Sequence, residues 1–151
     1  MMTMTREEHF LARMSIAKKG LERMREMIDY GWTQHEMKRF DERTGGVTGY
    51  SLEAACIDAA KEVWGRMSEG ERMDAFPVFH GASWRDLNSM MGAEVRDAVV
   101  LTGQISPWWF GNDWMGVYND TTGRTKEDVI AVLDKAVSRI SDRMEEDWLH
   151  E

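Results

Sequence analysis

Helix-start signals recur along the 151-residue chain and constrain its fold more than any other feature. In a capping box, a Ser or Thr side chain accepts a hydrogen bond from the backbone three residues later, and the acid at that position reaches back. Five segments match this pattern. They are Thr5 with Glu8, Thr33 with Glu36, Ser68 with Glu71, Ser83 with Asp86, and Thr125 with Asp128. A chain with this many helix starts is predicted to be mainly helical.

Four long stretches carry apolar residues at the three- and four-residue spacing of an amphipathic helix. The predicted helices run from about Arg6 to Tyr30, Leu52 to Met67, Trp84 to Thr102 and Lys126 to Trp148. The chain contains 42% hydrophobic residues and only two prolines, which is typical of a folded protein. We therefore predict an all-α fold over residues 1–151, a single-domain bundle of about four long helices with short helical turns.

Turn-forming residues indicate the conformation of the segment between the first two long helices. Gly31 is expected to take the left-handed position after the first helix, with Trp32 folded back on its last turn. Thr33 is then expected to cap a short helix over residues 34–40. Residues 41–50, which include three glycines, are expected to form a loop or a small hairpin.

The connection over residues 103–124 is predicted to be a loop, longer than the ~2–8 residues that usually join helices in a bundle. Its aromatic side chains are Trp108, Trp109, Phe110, Trp114 and Tyr118. Two interpretations are open. The rings form a lid that closes one end of the core, each burying ~150–250 Å², or they form a patch that binds a partner, as Trp and Tyr do at interface hot spots.

The same connection ends in a polar segment from Tyr118 to Thr125. Asn119 and Asp120 are typical turn formers, and Gly123 permits a positive φ, so the structural interpretation is a turn before the last helix. In the functional interpretation, polar side chains of this segment converge on a pocket beside the aromatic rings. The candidate binding residues are therefore Trp108, Trp109, Trp114, Tyr118, Asn119, Asp120 and Arg124.

No arrangement of residues in the sequence indicates a catalytic or metal centre. The four histidines lack metal-ligand spacing, and neither a Gly-Lys-Ser/Thr phosphate loop nor a Gly-x-Ser-x-Gly elbow occurs. Cys56 falls on the apolar face of the second helix, where an inert buried thiol is expected. We therefore predict no catalytic residue, no metal and no cofactor, and the balance is against an enzyme.

The net charge of −8 argues against direct nucleic-acid binding, which needs a basic patch. No apolar run approaches the ~20 residues that span a bilayer. Arg6, Glu7 and Glu8 stand where a signal peptide needs apolar residues, and a lone cysteine forms no intramolecular disulfide. These features predict a cytoplasmic protein that does not associate with membranes.

Two motifs carry a resemblance to a known family. The early motif is Gly31-Trp32-Thr33-Gln34, and the late motif is Tyr118-Asn119-Asp120-Thr121-Thr122-Gly123-Arg124-Thr125. They resemble the early Gly-Trp-Thr-Gln and the late Trp-Asn-Asp-x-x-Gly-Arg-Thr of small uncharacterised proteins from actinobacteria and their phages. The resemblance extends loosely from about Leu21 to Ile140. This chain departs from the family in having Tyr118 in place of Trp and a Trp-rich insertion before it. The resemblance implies an origin and a fold, but no reaction.

Three functions are consistent with these observations. The first is a phage or phage-like accessory protein that binds a host or phage protein in the host cytoplasm. The second is a small-molecule-binding or enzymatic domain that uses the Tyr118–Arg124 turn and the adjacent tryptophans. The third is an acidic mimic of DNA, a weaker hypothesis because Lys and Arg interrupt the acidic stripes.

Overall fold

The computed structural model describes residues 4–77, 82–104, 111 and 113–149. Its elements, in chain order, are α1 (Arg6–Tyr30), β1 (Lys38–Phe40), β2 (Val47–Tyr50), α2 (Leu52–Arg66), α3 (Glu69–Ala75), α4 (Trp84–Leu101), α5 (Trp114–Asp120) and α6 (Lys126–Leu149). The described part is mainly helical, with one small two-stranded sheet, so the predicted all-α class is confirmed.

The four long helices begin and end within one residue of their predicted bounds. Side-chain caps explain where they start. Thr5 Oγ1 accepts from the Glu8 amide at 3.1 Å, and Ser51 Oγ accepts from the Ala54 amide at 3.1 Å. Both hydrogen bonds of a capping box are present at Ser68, Ser83 and Thr125. Local chemistry therefore sets these helix starts.

Thr125 should stabilise the start of α6 measurably. Its hydroxyl accepts from the Asp128 amide at 3.1 Å, and Asp128 Oδ2 accepts from the Thr125 amide at 3.0 Å. We expect Thr125→Ala to lower the free energy of unfolding by ~0.5–2 kcal/mol, because it removes the cap from a helix amide. Urea denaturation followed by circular dichroism measures the change. Thr122→Ala, at an exposed threonine of the same turn, is the control and should change stability by less than ~0.5 kcal/mol.

Helix α1 lies at the centre of the bundle, in contact with α2, α3, α4 and α6. The spacing in the sequence predicts one apolar stripe along this helix, from Phe10 to Ile28. Its residues from Met14 onward are buried, and Phe10 is partly buried against the core. Gly20 lets α4 approach closely, because a Cβ atom there would lie 2.5 Å from Sδ of Met91. The small residues of α2 are buried as well, as their spacing predicts. They are Ala55, Cys56, Ala59 and Ala60.

Cys56 is a buried free cysteine, as predicted. Desolvation is the main reason that the pKa of its thiol rises to about 12, and the nearby Glu53 carboxylate raises it further. The nucleophilic form of cysteine is the thiolate. A thiol with this pKa is therefore protonated and unreactive at neutral pH.

Residues 34–50 differ from the prediction. The expected short helix over residues 34–40 is wrong, because this stretch bends and then forms β1, which pairs antiparallel with β2. The expectation of a plain loop over residues 41–50 is also wrong. The alternative of a small hairpin is the one observed, with a register irregularity between Arg39 and Phe40.

Gly31 has an extended backbone (φ −174°, ψ 127°), so the expected left-handed turn after α1 is wrong. The following residues run alongside β2 instead of folding back on α1. The Tyr50 amide donates to Gly31 O at 2.8 Å, and the Thr33 amide donates to Tyr50 O at 3.1 Å. A glycine is needed here because a Cβ atom would lie only 2.1 Å from the backbone oxygen of Thr48.

The expectation that all of residues 103–124 form a loop is wrong, because α5 occupies Trp114–Asp120. Asn119 and Asp120 are helical residues and do not form the predicted turn. The turn comes after them, and its Gly123 has the predicted positive φ, at 87°. Tyr118 and Asn119 are the buried residues of α5, so this helix contributes to the core.

Candidate functional site

Four polar side chains are buried in the described part of the chain: Thr33, Ser51, Glu94 and Asn119. Glu94 forms an ion pair across α4 and α6 with Arg143, whose Nη2 lies 2.5 Å from its Oε2. The other three lie together where the segment after α1, the start of α2 and α5 meet. We call this place the polar junction (residues 31–35, 51–52 and 119–121).

Asn119 is the centre of the polar junction and is fully buried. Its Oδ1 accepts from Trp32 Nε1 at 2.7 Å and from the Leu52 amide at 3.0 Å. Its Nδ2 donates to Thr33 O at 3.0 Å and to Asp120 Oδ1 at 3.0 Å. One side chain thus joins three segments and uses the two donors and both acceptor positions that an amide offers.

A second set of hydrogen bonds surrounds Asn119. Gln34 Nε2 donates to Asn119 O at 2.9 Å and to Thr121 O at 3.3 Å. Asp120 Oδ1 accepts from the His35 amide at 2.8 Å. His35 has a positive φ of 65°, uncommon outside glycine. The contact with Asp120 therefore helps to hold a strained turn in place.

Thr33 links the polar junction to the hairpin. Its hydroxyl donates to Glu36 Oε1 at 2.6 Å and accepts from Arg39 Nη2 at 3.0 Å. The hydrogen bond from Thr33 is the main reason that the pKa of the Glu36 carboxyl is below its ordinary value, and Arg39 lowers it further. The Thr33–Glu36 pair predicted to cap a helix therefore stabilises a turn before a strand.

Tyr118 and Arg124 form a neighbouring contact around Gln104. Tyr118 Oη donates to Gln104 Oε1 at 2.6 Å, and Arg124 Nη1 donates to the same oxygen at 3.0 Å. The Arg124 guanidinium lies 4.0 Å from the centroid of the Tyr118 ring, and its Nε donates to Tyr118 O at 3.1 Å. Both side chains therefore stabilise the entry into α6.

Ionisation of Tyr118 should lower the free energy of unfolding at alkaline pH. Burial raises the pKa of its phenol to about 12, against the opposing effect of Arg124. Because this pKa is higher in the folded chain than in the unfolded chain, the neutral phenol stabilises the fold. Its contribution is fully present below about pH 10 and is lost as the pH rises toward 12. We expect the free energy of unfolding to fall more steeply between pH 10 and 12 in the native chain than in Tyr118→Phe. If the free energy of unfolding falls equally with pH in the two proteins, another group causes the loss of stability between pH 10 and 12.

The structure brings four of the seven sequence-predicted site residues to one end of the bundle: Tyr118, Asn119, Asp120 and Arg124. Their hydrogen bonds described above are all made within the chain. Trp114 lies elsewhere, half-buried in a cleft. Trp108 and Trp109 are outside the described residues. Sequence reasoning missed Trp32, Thr33 and Gln34 as partners of the late motif, although the resemblance had marked both segments.

The cleft that contains Trp114 lies between α2, α4 and α5 and has a volume of about 380 Å³. Glu53 and Cys56 line its α2 wall, and Asn88 and Arg96 line its α4 wall. We call it the α2–α4–α5 cleft. It combines apolar, charged and amide side chains, as small-molecule sites do.

A second concave surface lies between the end of α1 and β2. Met27, Tyr30, Val47 and Tyr50 supply its apolar lining, and its volume is about 590 Å³. Phe40 is the cross-strand partner of Val47 and is 56% exposed, while Tyr30 is 69% exposed. We call this the hairpin surface (Tyr30, Phe40, Val47 and Tyr50).

The described residues contain no group of three or more His, Cys, Asp or Glu side chains placed to hold a metal ion. Within the same residues, every helix is too short or too polar to cross a membrane.

Neither a curated protein nor a solved structure matches the chain. The model of a family of unknown function (DUF6197) matches residues 15–139, a range that includes both motifs of the polar junction. Because the match covers most of the sequence, this chain belongs to that family of unknown function.

Proposed function

We propose that the protein is a phage or phage-like accessory protein that acts by binding a host or phage protein in the cytoplasm. The observation that carries the proposal is the exposure of two aromatic rings, Tyr30 and Phe40, at the hairpin surface. Aromatic residues dominate the binding energy of protein interfaces. The resemblance of the two motifs to actinobacterial and phage proteins supports the proposed origin.

Val47 connects the two exposed rings of the hairpin surface. It lines the groove beside Tyr30 and is the cross-strand partner of Phe40, so the three side chains offer one surface to a partner. Arg23 and Glu26 border the groove and are bound to each other at 3.0 Å. A groove that combines aromatic and apolar side chains with a charged pair resembles the composition of specific interfaces.

The charge of the chain indicates which partners are favoured. A net charge of −8 attracts a basic protein surface and repels an acidic one. We therefore propose a partner that presents an apolar or aromatic side chain surrounded by Lys and Arg.

Protein binding is favoured over a ligand pocket at the Tyr118–Arg124 segment, because the polar side chains there already make hydrogen bonds within the chain. Asn119 makes four hydrogen bonds inside the chain, and Arg124 is bound to Tyr118 and Gln104. The Trp-rich connection remains the second candidate surface for a partner. Its Trp108 and Trp109 therefore belong in the same test.

The test is capture of a protein from an actinobacterial host lysate, followed by measurement of its affinity for purified variants. We expect Phe40→Ala to weaken binding by about 30-fold or more, the effect of removing a hot spot of ~2 kcal/mol. Met73→Ala is the matched control, because Met73 is 54% exposed but lies on α3. Circular dichroism must show that both variants stay folded.

Trp108→Ala, Trp109→Ala and Trp114→Ala extend the experiment to the connection. If one of them loses binding while its stability stays within ~1 kcal/mol of the parent, the partner binds there instead of at the hairpin surface. The proposed function is wrong if no protein is captured, or if the captured protein binds every variant as tightly as the native chain.

A further inference from the structure

The α2–α4–α5 cleft contains a buried polar atom that has no hydrogen-bond partner among the described residues. Asn88 lines the cleft, and its side-chain oxygen Oδ1 is inaccessible to solvent and accepts no hydrogen bond from the described part of the chain. A buried acceptor without a donor costs ~1–3 kcal/mol, so such groups need an explanation. The Cβ–Cγ torsion of asparagine has a broad energy profile, so the amide can rotate and turn Oδ1 toward a ligand in the cleft.

Two helical glycines make this cleft wider. Gly92 of α4 and Gly116 of α5 lie on facing walls. An alanine Cβ would lie 3.6 Å from Met115 Cε at position 92 and 3.9 Å from Glu53 Oε2 at position 116. Both are ordinary contact distances, so packing against the described residues does not require glycine at either place. The missing side chains leave room inside the cleft.

The lining of the cleft selects a type of ligand. Asn88 Oδ1 and the carboxylates of Glu53 and Asp113 accept hydrogen bonds, whereas the Arg96 guanidinium in the same lining donates them. A ligand that fills the cleft therefore needs a donor, such as an amino group, as well as acceptors. Trp114 is half-buried, so part of its side chain is accessible to a planar ring. Arg96 follows Asn88 by eight residues of α4, about 12 Å along the helix axis at ~1.5 Å per residue. That length fits a molecule of nucleoside size.

From this arrangement we propose that the α2–α4–α5 cleft binds a planar heteroaromatic amine of nucleoside size. The amino group donates to Asn88 Oδ1, and the ring lies against Trp114. The cleft is separate from the hairpin surface, so this inference goes beyond the proposed function and does not depend on it.

Adenosine and purine riboside form the test pair, because they differ only in the amino group. In ¹H–¹⁵N spectra of the full chain, we expect adenosine to cause saturable shifts at the amides of residues 88–92 and at the Trp114 indole. Purine riboside should bind about tenfold more weakly, since it leaves Asn88 Oδ1 without a donor. Equal affinity of the two compounds, or no saturable shift at these positions, would overturn the proposal.

Two variants separate binding from folding. Gly92→Leu places a side chain in the cleft and should abolish the adenosine shifts, whereas Gly65→Leu, at an exposed glycine of α2 with open space around it, should leave them unchanged. Asn88→Leu should also abolish the shifts without lowering the melting temperature, because it removes an unsatisfied acceptor. If Asn88→Leu lowers the melting temperature and still binds adenosine, the amide is structural and the proposal is wrong. Phe40→Ala should bind adenosine like the native chain, whatever its effect on protein capture.

Discussion

Replacing Asn119 with alanine is expected to lower the free energy of unfolding by about 3–5 kcal/mol, a large fraction of the ~5–15 kcal/mol that stabilises a typical domain. The change leaves Trp32 Nε1, the Leu52 amide and Thr33 O without the partner that Asn119 supplies. Each buried polar group without a partner costs ~1–3 kcal/mol. Urea denaturation followed by circular dichroism measures the effect.

Asn88→Ala is the matched control for this measurement, because it removes a side chain of the same type whose oxygen has no partner among the described residues. We expect it to change the free energy of unfolding by less than ~1 kcal/mol. Similar small effects at both positions would mean that water replaces Asn119, and that the polar junction does not hold the three segments together.

Replacing Gly31 with alanine is expected to lower the free energy of unfolding by about 2–4 kcal/mol, which reaches above the ~1–3 kcal/mol typical of overpacking. The new Cβ atom would lie 2.1 Å from Thr48 O, a backbone atom that moves only if β2 moves. Displacing β2 also breaks the hydrogen bonds from the Tyr50 amide to Gly31 O and from the Thr33 amide to Tyr50 O. Loss of stability is again measured by urea denaturation.

Gly65→Ala controls for the general effect of adding a methyl group. Gly65 is exposed near the end of α2, and no atom of the described chain lies within 4 Å of a Cβ there. Because alanine is a better helix former than glycine, this variant should be as stable as the native chain or more stable, by up to ~1 kcal/mol. If Gly31→Ala behaves in the same way, the approach of residue 31 to β2 is looser than the structure indicates.

The long helices were predictable because their signals are local. Apolar spacing within α1 places Leu21, Met24 and Ile28 on one face, and caps such as Thr5 and Ser51 mark where helices start. Neither signal depends on residues far away in the sequence. Their bounds could therefore be read from the sequence to within a residue.

The elements that were predicted wrongly depend on distant partners. β1 forms because Lys38–Phe40 pairs with β2, although Thr33 and Glu36 have the spacing of a helix cap. α5 contains Gly116, Asn119 and Asp120, which are poor helix formers, and an isolated helix of seven residues is unstable. Its contacts with Trp32 and Leu52 supply the stability that local sequence lacks.

The candidate site was predictable only in part. Tyr118, Asn119, Asp120 and Arg124 were selected from the sequence, but the residues that contact Asn119 and Asp120 lie about 67 to 87 positions earlier in the chain. No spacing rule connects residues so far apart. The resemblance marked both segments as motifs, and the structure shows that they are two halves of one hydrogen-bonded junction.

The hydrogen bond from Leu52 to Asn119 has a consequence for hydrogen exchange. The first amides of a helix have no partner within the helix and usually exchange quickly with solvent. The Leu52 amide, at the start of α2, instead donates to the buried Oδ1 of Asn119 on α5. Its exchange with deuterium therefore requires this bond to open, so the rate at this one amide reports how often the start of α2 and α5 separate at the polar junction.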